Sequence, residues 1–389
     1  MQTLETFSEE PFGTSTLNFL KTLPWKQEGF IKQSWPNWLH HMSPYAGRMT
    51  PQLAHWLIRS FSKKNEVILD PFCGIGTVPL EANLLERNCV GFDLNPYAYL
   101  VAKAKMNRQP LSAHLKYLDK ISLKSNKKLI ETVPEWVHEF YNEDTLPELL
   151  TLINFLKEKK KTFLLGCLVG VAQGHRVGHI SKASALTLPY KPRPDDPGEY
   201  REVIPRLVKK VERMYKDGFT QFPIGTIKKV DSRKMPLKDN QIDCVVTSPP
   251  YLDNLDYVNA NRLRLALLGY SSDIAKKLGS KLKYKEKEYL EMMDKVASEM
   301  SRVLKPKKYC IMIIGDVHKN KKTINTADLL YKTFQKNNLK LFHEIEDGIP
   351  FNRSVQRTPN MSNASKPLRK DRILIMKNLH LYISLLFFL

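Results

Sequence analysis

The tetrapeptide Ser248-Pro249-Pro250-Tyr251 directly follows an apolar run, Ile242-Asp243-Cys244-Val245-Val246-Thr247. An amine conjugated to an aromatic ring is a poor nucleophile, because its lone pair is delocalised. Two acceptors on its N–H groups draw the nitrogen towards tetrahedral geometry and localise that pair. The Ser248 hydroxyl oxygen is one candidate acceptor. The Pro249 carbonyl is the other, held in place because the adjoining Pro250 stiffens the turn. Tyr251 offers a ring that stacks on a base once the base leaves a duplex. The plain alternative is a proline-rich turn with a surface tyrosine.

A second constellation lies earlier. The run Val67–Asp70 leads into Pro71-Phe72-Cys73-Gly74-Ile75-Gly76-Thr77 and then a helical pattern. Such a loop brings backbone close to a ligand at the carboxyl end of a strand, and the helix start adds free N–H groups. A dinucleotide or phosphate site is the usual alternative. Two features count against it: Pro79 breaks the G-x-G-x-x-G pattern, and no G-x-x-x-x-G-K-[ST] loop occurs. Three acids are expected at strand ends. Asp70 suits the ammonium of a methionine moiety. Asp93 suits both hydroxyls of a ribose, or else caps the helix that starts near Pro96. Asp231 suits an adenine amino group. With Pro71, Phe72, Gly74, Gly76 and Thr77 they form a candidate S-adenosylmethionine site.

These residues need a sheet to hold them. Val67–Phe72, Cys89–Leu94, Ile227–Val230, Ile242–Thr247 and Tyr309–Gly315 read as buried parallel strands, and Leu339–Ile345 and Arg372–Met376 complete a set of seven. Helical patterns separate most of them. One starts at Thr50-Pro51, with Thr50 as cap and Pro51 in the first helical position. Another follows Gly76, and a third spans Tyr289–Leu304. Alternating strands and helices predict an α/β, doubly wound, Rossmann-like sheet. The connection from the second strand to the third is far longer than an ordinary αβ loop. It holds helical stretches at Leu146–Lys157, Phe163–Ala172 and Tyr200–Tyr215 and a basic, proline-rich piece from His175 to Pro197. The expected organisation is therefore a catalytic part over 1–106, a mostly helical insertion over 107–225, a second catalytic part over 226–378 and an apolar tail over 379–389. Within the insertion, Arg176, Lys182, Lys191 and Arg193 are the candidate nucleic-acid contacts. A lid or a packing decoration is the alternative for the inserted piece. The lysine-rich stretch Lys276–Lys287 reads as a solvated loop.

Composition agrees with a polyanionic partner. Lys and Arg number 61 against 40 Asp and Glu, a formal charge of +21 over 389 residues. Neutralised phosphates release counterions, which favours such a surface. The five cysteines form no C-x-x-C pair, which speaks against a disulfide scaffold or zinc site and for a reducing cytoplasm. No metal is expected. The first residues carry no signal-peptide pattern. The apolar last ten residues fall short of the about 20 needed to span a bilayer, so no membrane association is expected.

DPFCGIGT with TSPPY resembles the amino-group DNA methyltransferases, the N4-cytosine and N6-adenine enzymes of restriction–modification systems. The resemblance covers much of the chain outside the insertion. Ser43-Pro44-Tyr45-Ala46-Gly47-Arg48 with Pro51-Gln52-Leu53 is similar to the family's segment at the cofactor's methionine end. Asp93-Leu94-Asn95-Pro96 resembles its ribose-binding strand end, and Asp231-Ser232-Arg233 its adenine-contacting turn. Val303-Leu304-Lys305-Pro306 resembles the helix end before the fifth strand, with Lys307-Lys308 where glycines are expected. The resemblance implies a class I S-adenosylmethionine-dependent fold, double-stranded DNA as substrate and a cognate restriction endonuclease as partner. It also implies a target-recognition role for the insertion. Ser at the first tetrapeptide position is more typical of N4-cytosine enzymes, and Asp or Asn of N6-adenine enzymes. Cytosine C5 chemistry needs a thiolate from a Pro-Cys pair, and none occurs. A tRNA guanine-N2 methyltransferase is the nearest rival, although only a short stretch precedes the first strand. A DNA-binding relative without activity is the other.

Overall fold

The computed structural model describes residues 13–27, 37–175, 178–185, 191–219, 225–252, 256–270, 285–319, 322–348 and 370–379. Arg176, most of the lysine-rich stretch and the apolar run 380–389 lie outside the described residues.

The strands are β1 (Val67–Asp70), β2 (Asn88–Phe92), β3 (Gly225–Lys228), β4 (Ile242–Thr247), β5 (Leu304–Gly315), β6 (Val317–Lys319), β7 (Lys322–Ile324), β8 (Leu339–Gly348) and β9 (Lys370–Asn378). Seven form one sheet in the order β3-β2-β1-β4-β5-β9-β8, and β6 and β7 make a separate hairpin. The strands of the large sheet are parallel except β9, which runs antiparallel to both β5 and β8. All seven expected strands are present. The hairpin was not expected from the sequence.

The helices are α1 (Thr14–Lys21), α2 (Pro51–Phe61), α3 (Thr77–Leu84), α4 (Pro96–Met106), α5 (Leu111–Asp119), α6 (Thr145–Glu158), α7 (Thr162–Val171), α8 (Val203–Met214), α9 (Tyr257–Ala260), α10 (Arg262–Leu267), α11 (Glu286–Val303) and α12 (Thr326–Lys336). Side chains alternate across a strand, and this alternation sorts the layers. Ile68, Cys244, Val246, Ile311 and Ile313 share a core with α1 and α2. Leu69, Val245, Met312 and Ile314 share another with α11 and α12. Helices therefore cover both faces, the doubly wound arrangement expected.

The insertion does not keep a core to itself. Leu149, Ile153, Leu168 and Val211 pack in one cluster with Leu39, Met42, Tyr97 and Val101 and with Leu263 and Leu267 of α10. At its centre α7 is apolar on every side, and Phe163 through Val171 are all buried. Such a helix needs neighbours all round. It finds them in α4, α6 and α8.

Three local expectations need correction. Pro51 does open α2, but the Thr50 side chain makes no capping hydrogen bond. β3 ends at Lys228, so Asp231 sits in the following turn and not at the strand end. β5 begins at Leu304, five residues before the expected start. Ile242 pairs with Leu304 and Cys244 with Tyr309, so residues 305–308 bulge out opposite Asp243. Lys307 there has φ +63°, a left-handed conformation that costs a non-glycine residue about 1–2 kcal/mol. The flanking lysines offset this: Lys305 Nζ lies 2.7 Å from Asp243 Oδ1, and Lys308 pairs with Glu66.

Candidate active site

At the end of β1 the chain turns through residues 71–76 into α3. Gly76 is the N-cap with φ +77°. A Cβ there would meet Ala102 Cβ at 3.0 Å and Ala102 Cα at 3.1 Å. Glycine is needed both for the backbone angle and for the approach of α4. The loop is tied to β2, because the Cys73 amide donates to the Phe92 carbonyl at 2.9 Å. The Gly74 amide donates to Asp93 Oδ2 at 2.9 Å.

Asp93 follows β2 and has a second partner, since the Asn95 amide donates to its Oδ1 at 2.8 Å. It does not cap α4. Asn95 does, accepting from the amides of Tyr97 and Ala98 at 3.0 and 3.4 Å. Burial pushes Asp93 up to about 6, against the pull of its two amide donors. Asp70 is buried at the tip of β1. It accepts from Thr247 Oγ1 at 2.7 Å and from the Phe72 amide at 3.1 Å. Burial raises it to about 7, and these two bonds act the other way. Asp231 accepts from Arg233 Nε at 2.9 Å and from the Arg233 amide at 3.0 Å. Ser232 Oγ donates to the Pro71 carbonyl, fastening this turn to the loop after β1.

These carboxylates border one cleft that opens to solvent. Of the eight residues expected around a cofactor, Asp70, Pro71, Phe72, Gly74, Thr77, Asp93 and Asp231 border it. Gly76 does not; it shapes the turn from behind. β4 delivers the tetrapeptide to the same cleft, where Ser248 and Pro250 border it. Pro249 and Tyr251 are not among its bordering residues.

Tyr45 and Arg48, in the segment that resembles the family's methionine-end segment, border the cleft, whereas Tyr257, Met292 and Val296 are parts of the wall that the sequence reading missed. Tyr45 and Tyr257 stack with ring centroids 5.9 Å apart and planes 20° apart, and both border the cleft. Met292 and Val296, one turn apart on α11, supply an apolar side. Arg48 borders it too and donates to the His40 carbonyl. The i, i+4 spacing of Met292 and Val296 marks an inner helix face, but nothing local says which cavity it meets.

The basic residues of the insertion lie elsewhere. Lys191 is exposed, and Arg193 is exposed and paired with Asp195 at 2.8 Å. Lys182 is half-buried, with its side-chain stem against Gly198. None of the three borders the cleft.

The donor set of the cleft fits S-adenosylmethionine: carboxylates for an ammonium, a ribose diol and an adenine amino group, and a guanidinium for a carboxylate. The sheet order, with one antiparallel strand next to the last position, is that of the class I S-adenosylmethionine-dependent methyltransferases. A family model described as DNA methylase, for N6- and N4-methyltransferases, matches residues 15–104 and 242–378. The chain belongs to this family of DNA methyltransferases, and S-adenosylmethionine is its methyl donor. It is similar to the type II methyltransferase M.MvaI of Kocuria varians, 24% identical over 429 residues, covering 90% of this chain and 93% of that protein. The type II methyltransferase M.MjaII of Methanocaldococcus jannaschii is 21% identical over 411 residues, covering 79% and 76%. The type II methyltransferase M.BsoBI of Geobacillus stearothermophilus is 24% identical over 289 residues, covering 61% and 53%. No helix among the described residues is long and apolar enough to cross a membrane.

Proposed function

We propose that this DNA methyltransferase acts on the exocyclic N4 amine of a cytosine flipped out of duplex DNA at a specific sequence, as the modifying half of a restriction–modification system. The observation that carries this reading is that Ser248 borders the same cleft as Asp70, Asp93 and Asp231. An amine acceptor thereby faces a set of carboxylates suited to the methyl donor. S-adenosylmethionine supplies an electrophilic methyl group on a sulfonium.

The residues of the chain do the rest. Asp93 holds the ribose; its two oxygens already accept amide hydrogens, and an ionised carboxylate has lone pairs left over. Asp70 faces the ammonium and Arg48 the carboxylate. Asp231, fixed by Arg233, takes the adenine amino group. Ser248 Oγ and the Pro249 carbonyl accept the two amine hydrogens and localise the nitrogen lone pair; as the N–C bond forms the S–C bond breaks with its electron pair left on the departing thioether, and the methylated amine releases one proton to water. Tyr251 stacks on the flipped base, which costs a few kcal/mol to extrude. A neutral serine in first position favours cytosine N4 over adenine N6. The stretch 105–241 lies between the two parts matched by the family model. It contains the inserted helices, which we assign to target recognition, with Lys182, Lys191 and Arg193 meeting phosphates or bases. The names of the type II relatives support a partner endonuclease.

The test is incubation with labelled S-adenosylmethionine and either duplex DNA or tRNA, followed by mass spectrometry of the nucleosides. The expected product is N4-methylcytosine in DNA. N6-methyladenine would replace the choice of base and keep the mechanism. 5-Methylcytosine, or label in tRNA alone, would reject the assignment of the tetrapeptide.

A further inference from the structure

Arg264 is wholly buried on α10, in the segment that follows the tetrapeptide. Burying a guanidinium is costly unless its donors are used. Its Nε donates to the Val169 carbonyl at 3.2 Å and its Nη2 to the Gln173 carbonyl at 3.0 Å. Those carbonyls lie in and just beyond the last turn of α7. A helix carries unpaired acceptors and partial negative charge at that end. The guanidinium also lies over the Tyr97 ring, 5.6 Å from its centroid.

Tyr97 leads on to the cleft. Its hydroxyl lies 2.6 Å from Ser43 Oγ and donates to the Pro44 carbonyl at 2.7 Å. The next residue is Tyr45, which stacks on Tyr257. Tyr257 opens α9, immediately before α10. The contacts therefore close on themselves: Arg264 to Tyr97, Tyr97 to the 43–45 segment, Tyr45 to Tyr257, and back along the chain to Arg264. A second clamp acts on the same segment, because α7 lies flat against it at Gly170. A Cβ there would fall 1.9 Å from the Met42 carbonyl oxygen.

We infer that Arg264 is a positioning residue that couples the seating of the inserted helices to the wall of the methyl-donor cleft. Displacing α7 moves Arg264 and Tyr97, and with them the Tyr45–Tyr257 stack that borders the cleft. The inference rests on reading that cleft as the S-adenosylmethionine site.

Arg264→Lys keeps the charge but loses the planar fork. Tyr97→Phe removes only the hydroxyl that joins Ser43 and Pro44. The full chain, the two variants and their double variant are compared by calorimetric binding of S-adenosylmethionine without DNA. Single-turnover rates on duplex DNA and melting temperatures are measured alongside. The expected result is at least fivefold weaker binding in each single variant, with the double variant no weaker than the worse single one. The single-turnover rate at saturating donor should also fall, so that kcat drops as KM rises. Binding within twofold of the parent in both single variants overturns the inference, as does a double variant whose loss is the product of the two. If Arg264→Lys is unfolded at the assay temperature, Tyr97→Phe decides alone. A parent that binds the donor but methylates no DNA defeats the proposed function, while the binding comparison still decides the role of Arg264.

Discussion

Thr247 Oγ1 donates a 2.7 Å hydrogen bond to Asp70 Oδ1, joining the end of β4 to the end of β1 one residue before Ser248. The tetrapeptide and the cleft carboxylate are thus held to each other directly. The bond also favours the ionised form of a carboxyl that burial raises to about 7. If Asp70 receives the donor's ammonium, it must be ionised to do so. Donor affinity should then fall as pH drops through 7, by up to about tenfold per pH unit, with Asp93 adding a second step near 6. Towards pH 8 and above the donor's own α-ammonium loses its proton, so affinity should pass through a maximum and fall again. Thr247→Val removes the opposing bond, so the fall should begin at higher pH. Calorimetry across pH 5.5 to 8.5 reads this, and an identical profile for Asp70→Asn would remove the assignment.

Ser248→Ala should slow the chemical step by roughly a hundredfold or more, because an acceptor matched to the pyramidalising amine acts in the transition state. Donor affinity should change little. Tyr251→Ala should weaken retention of the extruded base as well, which a fluorescent base analogue at the target position reports. Equal losses of rate and donor affinity in Ser248→Ala would place that hydroxyl on the cofactor instead.

Gly170→Ala should destabilise the fold by about 1–3 kcal/mol, the usual cost of overpacking. Alanine's better helix propensity, up to about 1 kcal/mol, offsets part of this. The Met42 carbonyl is backbone and has nowhere to go. Gly178→Ala is the control, with nothing within 4 Å of a new Cβ. Equal denaturation midpoints for both variants would contradict the packing of α7 on residue 42.

Duplex DNA affinity should fall steeply with salt, as several phosphate contacts release counterions. Replacing Lys182, Lys191 and Arg193 together by alanine should shallow the slope. If only sequence preference changes, the three read bases. Unchanged binding and preference would free them from any DNA role.

The sheet was legible because buried strands are short, apolar and β-branched, and that signal is local. The loop before α3 was legible for the same reason: Gly74, Gly76 and Asp93 keep a characteristic spacing. Asp93 and Asn95 show where local reading stops. Either residue type caps a helix, and only the positions of the Gly74 and Tyr97 amides decide which one does. Tyr45 and Tyr257 lie more than two hundred positions apart, and no periodicity relates them. Lys307 occupies a turn that glycine patterns describe, because Asp243 and Glu66 stand opposite its neighbours. Nothing local in the sequence marks Arg264 as buried, since the carbonyls that receive it belong to the insertion.

The position of β9 has a consequence for the order in which the molecule can be completed. It is the last described strand in the chain, yet it lies inside the sheet between β5 and β8. As residues leave the ribosome, β1, β2, β3, β4 and β5 emerge in that order and each after the first finds a neighbour already made. β8 emerges with no neighbour to join and must wait for residues 370–378. A chain halted at 369 would carry two exposed ladders, one on β5 and one on β8, each a template for another molecule. The final strand acts as a keystone, and premature release of the nascent chain invites aggregation.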